Sequence, residues 1–132
     1  MPALNYQERF AGKVESGEKR QTIRPKRKRE IKPGDTLHHY TGMRTRHCRK
    51  LLVSKCRAVR EIRIGWFEIN IYGEYQDLHF RNESMCMPGH TSSDYLPLED
   101  FAKQDGFDSW GEMREWFQKR YGLPFDGVLI EW

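Results

Sequence analysis

The feature that most restricts the fold is a change of apolar period along the chain. Tyr6, Phe10 and Val14 stand four residues apart, and Trp110, Met113, Phe117 and Tyr121 follow at i, i+3, i+7 and i+11. That is the spacing of one helix face. Between these segments, residues 36–40 and 66–72 alternate apolar and polar side chains, the period of half-buried strands. A chain with both periods has to pack helices on a sheet, so the expectation is an α+β domain built on a curved mixed sheet.

Breakers set the boundaries. A helix is expected over 4–15, stopped by Gly17 in a left-handed turn. A short strand over 19–24 ends at Pro25. Lys32-Pro33-Gly34-Asp35 reads as a turn, and the strand 36–40 runs from it to Thr41-Gly42. Residues 51–64 read as one long strand or a strand pair. Residues 75–80 are the hairpin partner of 66–72 across Gly73, and 83–93 read as a loop. Pro97 opens a short helix to about 104, closed by Gly106. Ser109-Trp110-Gly111-Glu112 is a capping box that opens the last helix. Gly122 stops that helix, and 125–132 forms a final strand. The Trp110–Tyr121 stripe is expected in the core. With 132 residues and no repeats or linkers, one domain is expected over 1–132.

Charge is unevenly distributed. Residues 1–64 hold 18 Lys/Arg against 6 Asp/Glu, a net +12, while 65–132 carry a net −8. Two basic loops stand out: Lys26-Arg27-Lys28-Arg29, and the segment holding Arg44, Arg46, His47 and Arg49. If the fold segregates the halves, one face favours phosphate-bearing partners such as RNA. If the halves interleave, the charges only keep the chain soluble. No apolar run approaches the ~20 residues of a membrane span, and the N-terminus lacks a signal-peptide pattern. Cys48, Cys56 and Cys86 make no paired framework. A cytoplasmic monomer without membrane contact is therefore expected. His38-His39, His47-Cys48 and Cys86-x-x-x-His90 lack the paired spacing of a zinc site, so neither metal nor cofactor is expected.

The chemistry concentrates in Gly17-Glu18-Lys19-Arg20-Gln21-Thr22-Ile23-Arg24. Strand alternation puts Lys19 and Thr22 on opposite faces. A bulge or turn beside Gly17 lets them converge. Lys19 is either an anion clamp or, if desolvated among cations, a neutral base or nucleophile. Arg24 either clamps a phosphate or carboxylate, or pairs with Glu18, Glu30 or Asp35.

Gly17, Lys19, Thr22 and Arg24 form one motif. Lys32-Pro33-Gly34-Asp35-Thr36-Leu37, Gln104-Asp105-Gly106-Phe107 and Val128-Leu129-Ile130-Glu131-Trp132 follow in order. Together they resemble the ASCH domain family of the PUA-like superfamily over nearly the whole chain. Tyr40-Thr41-Gly42-Met43-Arg44-Thr45 resembles the version found in phage and prophage members. The resemblance implies a small β-barrel with flanking helices and a cleft that faces nucleotides or RNA. It is also similar to bacterial members that hydrolyse 4-acetylcytidine. Their catalytic set is a lysine in the signature, a threonine three residues on and a glutamate before the late helix. By position these fall on Lys19, Thr22 and Asp105, the last being one methylene shorter than glutamate.

Two functions are expected from this. The first is an amidohydrolase acting on N4-acylated cytosine nucleosides, with Lys19, Thr22 and Asp105 in a closed pocket. Arg24 and Arg44 would then hold the substrate, and Tyr40 or Trp66 would stack on the base. The sequence leaves Lys19 open as base, nucleophile or electrophile. The second is an RNA-binding module or ribonuclease, with an open groove along Lys26–Arg29 and Arg44–Arg49.

Overall fold

Eight strands and three helices make up the computed structural model, which describes residues 2–73, 76–81 and 96–132. The chain opens with β1 (Ala3–Tyr6) and α1 (Glu8–Ser16), followed by β2 (Gln21–Arg24) and β3 (Thr36–Thr41). Next come β4 (Arg49–Lys55), β5 (Ala58–Ile64), β6 (Glu68–Tyr72) and β7 (Leu78–Arg81). Helices α2 (Leu98–Gln104) and α3 (Trp110–Tyr121) precede β8 (Phe125–Glu131). The α+β class expected from the two periods is what the chain adopts.

The strands form two open sheets. One has the order β1-β3-β4 and the other β2-β8-β5-β6-β7. Among the described strands the β1–β3 pair is parallel and the other strand pairs are antiparallel, with Tyr6 of β1 opposite Thr41 of β3. The expected helix over 4–15 therefore starts later. Tyr6 belongs to a strand, and only Phe10 and Val14 keep the helical stripe. The 51–64 segment is a strand pair split between the sheets. The split falls at Cys56, whose backbone pairs with Gly34 and Asp35, while the Arg57 amide donates to the Glu131 carbonyl to begin the second ladder. The 66–72 strand begins only at Glu68, because Trp66 and Phe67 lie in the turn after β5. The expected 83–93 loop lies outside the described residues, as does Tyr75 in the hairpin partner.

Apolar faces of both sheets and all three helices meet in one core. Phe101, Phe117, Leu37 and Ile69 are among its fully buried members. α3 contributes Trp110, Met113 and Phe117 as expected, whereas Tyr121 at the end of the stripe is partly exposed. Ser109 caps α3 by accepting from the Glu112 amide at 3.1 Å. The Glu112 carboxylate does not complete the box, because it pairs with Arg9.

The charge halves interleave. β8, from the acidic half, lies between β2 and β5 of the basic half. Arg57 and Arg60 reach Glu131, and Arg63 reaches Asp126. No described helix is long and apolar enough to cross a membrane.

Candidate functional site

Gly17 sets the site by turning the chain. Its φ of +84° ends α1, and the Lys19 amide then returns to the Lys13 carbonyl at 3.0 Å. Lys19 thus precedes β2 and escapes the strand's alternation. That is how Lys19 and Thr22 come to line one pocket of about 70 Å³. Both are buried, at 3 % and 4 % exposure.

The partner of Lys19 comes from 86 residues away. Its Nζ donates to the Asp105 carbonyl at 2.5 Å and lies 3.2 Å from Asp105 Oδ1. Asp105 ends α2 and is as buried as Lys19. Gly106 then turns the chain at φ +94°, and a Cβ there would stand 3.1 Å from both Lys19 Cδ and Phe10 Cδ1. Two conditions therefore require glycine: the left-handed backbone and the closeness of the lysine stem. Lys13 braces the same turn by donating to the Gly106 carbonyl at 2.9 Å.

Burial dominates the ionisation of this pair. It pushes the Lys19 ammonium below the usual lysine range, against the opposing pull of Asp105. It also pushes the Asp105 carboxyl above the usual carboxylate range, against the pull of Lys19. Both shifts favour the neutral form of each group. Gln21 lies close enough to act on Asp105, although its buried Nε2 has no hydrogen-bond partner among the described residues.

Arg24 closes one side of the pocket. Its Nε donates to Thr22 Oγ1 at 3.1 Å and its Nη2 to the Asn5 carbonyl at 2.7 Å. It therefore pairs with none of Glu18, Glu30 or Asp35. Its guanidinium carbon stands 5.1 Å from the centre of the Tyr6 ring. The Tyr6 hydroxyl, close to both Thr22 and Arg24, meets His39 Nδ1 at 3.0 Å, and His39 Nε2 meets Ser54 Oγ at 2.8 Å. Burial holds the phenol proton firmly. The phenol therefore donates to Nδ1, which places the imidazole proton on Nε2 toward Ser54. Burial first, then the charges of Arg24 and His38, push His39 down to about 4.

Three expected substrate contacts lie elsewhere. β3 alternates so that His39 and Thr41 point inward, and Tyr40 faces out beneath Lys50. Arg44 sits in an exposed loop, and Trp66 is 44 % exposed in the turn after β5. None of the three lines the pocket. Its aromatic lining is instead Tyr6, Phe10, Phe107, Trp116, Phe117 and Tyr121, with Arg120 beside them. Trp116 is fixed by donating to Gln7 Oε1 at 3.2 Å. No signal in the sequence marked Trp116 or Arg120, which fall off the apolar stripe. Tyr6 was hidden by its fit to a helical period, and His39 by its neighbour His38. Among the described residues, no group of three His, Cys, Asp or Glu side chains is placed to hold a metal; Cys86 and His90 lie outside them.

Fold and site together define an α+β domain with a buried amine–carboxyl pair flooring a small aromatic pocket. The chain matches no family model, no curated protein and no solved structure.

Proposed function

We propose that this chain is a small amidohydrolase of the ASCH type, its two sheets arranged in the PUA-like manner. Its substrates are N4-acylated cytosine nucleosides such as 4-acetylcytidine. The observation that carries the reading is the buried contact between Lys19 and Asp105, with Thr22 lining the same pocket. Burying such a pair opposes stability unless something else is gained, and perturbed groups of this kind concentrate at sites of chemistry.

The proposed step follows from the donor geometry. A neutral Lys19 amine directs its two N–H bonds at the carbonyl and carboxyl of Asp105, leaving its lone pair for a water. That water attacks the acyl carbon, its proton passes to Nζ, and the carbonyl π electrons move to oxygen. The Thr22 hydroxyl, which accepts from Arg24 Nε, donates its proton to this oxyanion. On collapse, the carbon–nitrogen bond breaks as the cytosine N4 takes the proton from Nζ. Cytidine and the free acid leave, and Asp105 steadies the ammonium that forms between the two halves of the reaction. The shorter acid suffices here because Asp105 also engages Nζ through its own carbonyl. Trp116 and Tyr121 flank the base.

The test is release of cytidine from 4-acetylcytidine by the purified protein. Turnover is expected, and Lys19→Ala should lower it by about 10²–10⁴-fold, the range for a positioned acid–base group. A folded wild type that releases no cytidine contradicts the proposal.

A second reading, an RNA-binding module, draws on one observation: Arg27, Lys28 and Arg29 are exposed in a loop. Salt separates the two. Binding through many phosphates weakens steeply with salt, and nucleoside turnover does not.

A further inference from the structure

Two guanidinium groups, those of Arg24 and Arg120, line the pocket, and the carboxylate that lines it with them, Asp105, is paired with Lys19. Among the described residues neither forms an ion pair. Asp105, the carboxylate that acts on Arg24, is already taken by Lys19. Burial is what most disfavours the charge of Arg24, and the charge of Arg120 adds to it. Lys19 and Asp105 are neutral as a pair, which leaves the mouth with two uncompensated cations.

Donor accounting points the same way. A guanidinium carries five N–H bonds. Arg24 uses Nε on Thr22 and one Nη2 hydrogen on Asn5, and a further bond to the Tyr6 hydroxyl leaves two. Arg120 uses Nε on the Tyr121 hydroxyl, leaving four. Both guanidinium carbons lie over aromatic rings: Arg24 over Tyr6, and Arg120 over Trp116 at 5.3 Å and Tyr121 at 5.7 Å. The aromatic rings hold the two groups in place and leave N–H bonds for a ligand. Planar forks of this kind match the oxygens of a phosphate. The pocket below is small, about 70 Å³. That suits the acylamino edge of a base and leaves the sugar and its substituents at the mouth.

We propose that Arg24 and Arg120 form a phosphate subsite, and that the preferred substrate of this pocket is an N4-acylated cytidine nucleotide rather than the free nucleoside. This rests on the amidohydrolase reading for the chemistry, but the subsite is testable without it. The phosphate belongs either to a free mononucleotide or to the backbone of an RNA strand.

The experiment compares kcat/KM for 4-acetylcytidine, its 5′-monophosphate and a dinucleotide containing it, with calorimetric binding of cytidine and cytidine 5′-monophosphate alongside. The monophosphate should be favoured about tenfold or more over the nucleoside at low salt, as charge-assisted hydrogen bonds allow. Arg120→Gln should bring the two to within about twofold, since it removes half of the fork. A dinucleotide favoured over the monophosphate assigns the phosphate to an RNA strand, and the reverse assigns it to a free nucleotide. Equal kcat/KM for nucleoside and nucleotide, insensitive to Arg120→Gln, overturns the subsite and leaves the amidohydrolase standing. Absent turnover, tighter binding of the monophosphate that Arg120→Gln abolishes sustains the subsite and removes the amidohydrolase. Neither turnover nor phosphate-dependent binding overturns both.

Discussion

At the scale of single residues, the site is a set of groups kept from water. Lys19 and Asp105 lose their hydration, and their mutual attraction offsets only part of that loss. Behind them, His39 is fully buried between Tyr6 and Trp132, whose ring centres lie 5.7 and 4.4 Å away. The groups facing it are the Tyr6 phenol and the Ser54 hydroxyl, with Arg24 and His38 acting on it electrostatically. A folded-state value near 4 against 6.5 when unfolded means the unfolded chain takes the proton first as pH falls. Stability is therefore full above about 6.5 and is lost toward pH 4, by at most about 1.4 kcal/mol per pH unit. Urea unfolding between pH 7 and 4.5 should show this loss. His39→Gln, though less stable at pH 7, should show a flatter profile. Parallel profiles for the two proteins would remove His39 as the cause.

At the scale of elements, the site is made where helices and strands stop. Lys19 follows the turn after α1, Asp105 ends α2, and Gly106 lets the two meet. Gly106→Ala should cost about 1–3 kcal/mol through its left-handed backbone alone. Because the new methyl stands against the Lys19 stem, it should also lower kcat by about 10²-fold through misplacement of Nζ. Measuring kcat beside the melting temperature separates the two effects; full turnover in a destabilised variant would mean that Lys19 is positioned by something else. Elements with strong local signals were legible in the sequence. The Ser109 cap and the Gly17 and Gly122 stops read correctly, because each depends on backbone sterics or a short-range bond, and the 125–132 strand read from its own apolar run although its partners are distant. β1 did not read, because Tyr6 fits a helical period as well as a strand, and only its parallel pairing with β3 decides between them. The Lys19, Thr22 and Asp105 convergence was legible through the resemblance. Trp116, Tyr121 and Arg120 were not legible as pocket residues, since which side of α3 meets the mouth is a tertiary fact.

At the scale of the molecule, the pocket draws its walls from both sheets. Tyr6 belongs to the first, Thr22 and Arg24 to the second, and His39 and Trp132 meet where the two come together. The same interleaving sets the acids of β8 beside bases of β5: Arg60 reaches Glu131 and Arg63 reaches Asp126. What the fold achieves is to bring an amine and a carboxyl from opposite ends of the chain into one dry contact. The central claim is that this contact works as a unit. It is tested most directly by kcat for 4-acetylcytidine in wild type, Lys19→Met, Asp105→Asn and the double variant, each confirmed folded by its melting transition. If the pair acts together, each single change should cost about 10²–10⁴-fold, and the double change should cost little more than the worse single one. Losses that multiply in the double variant, or a Lys19→Met protein that turns over within tenfold of wild type, would contradict it.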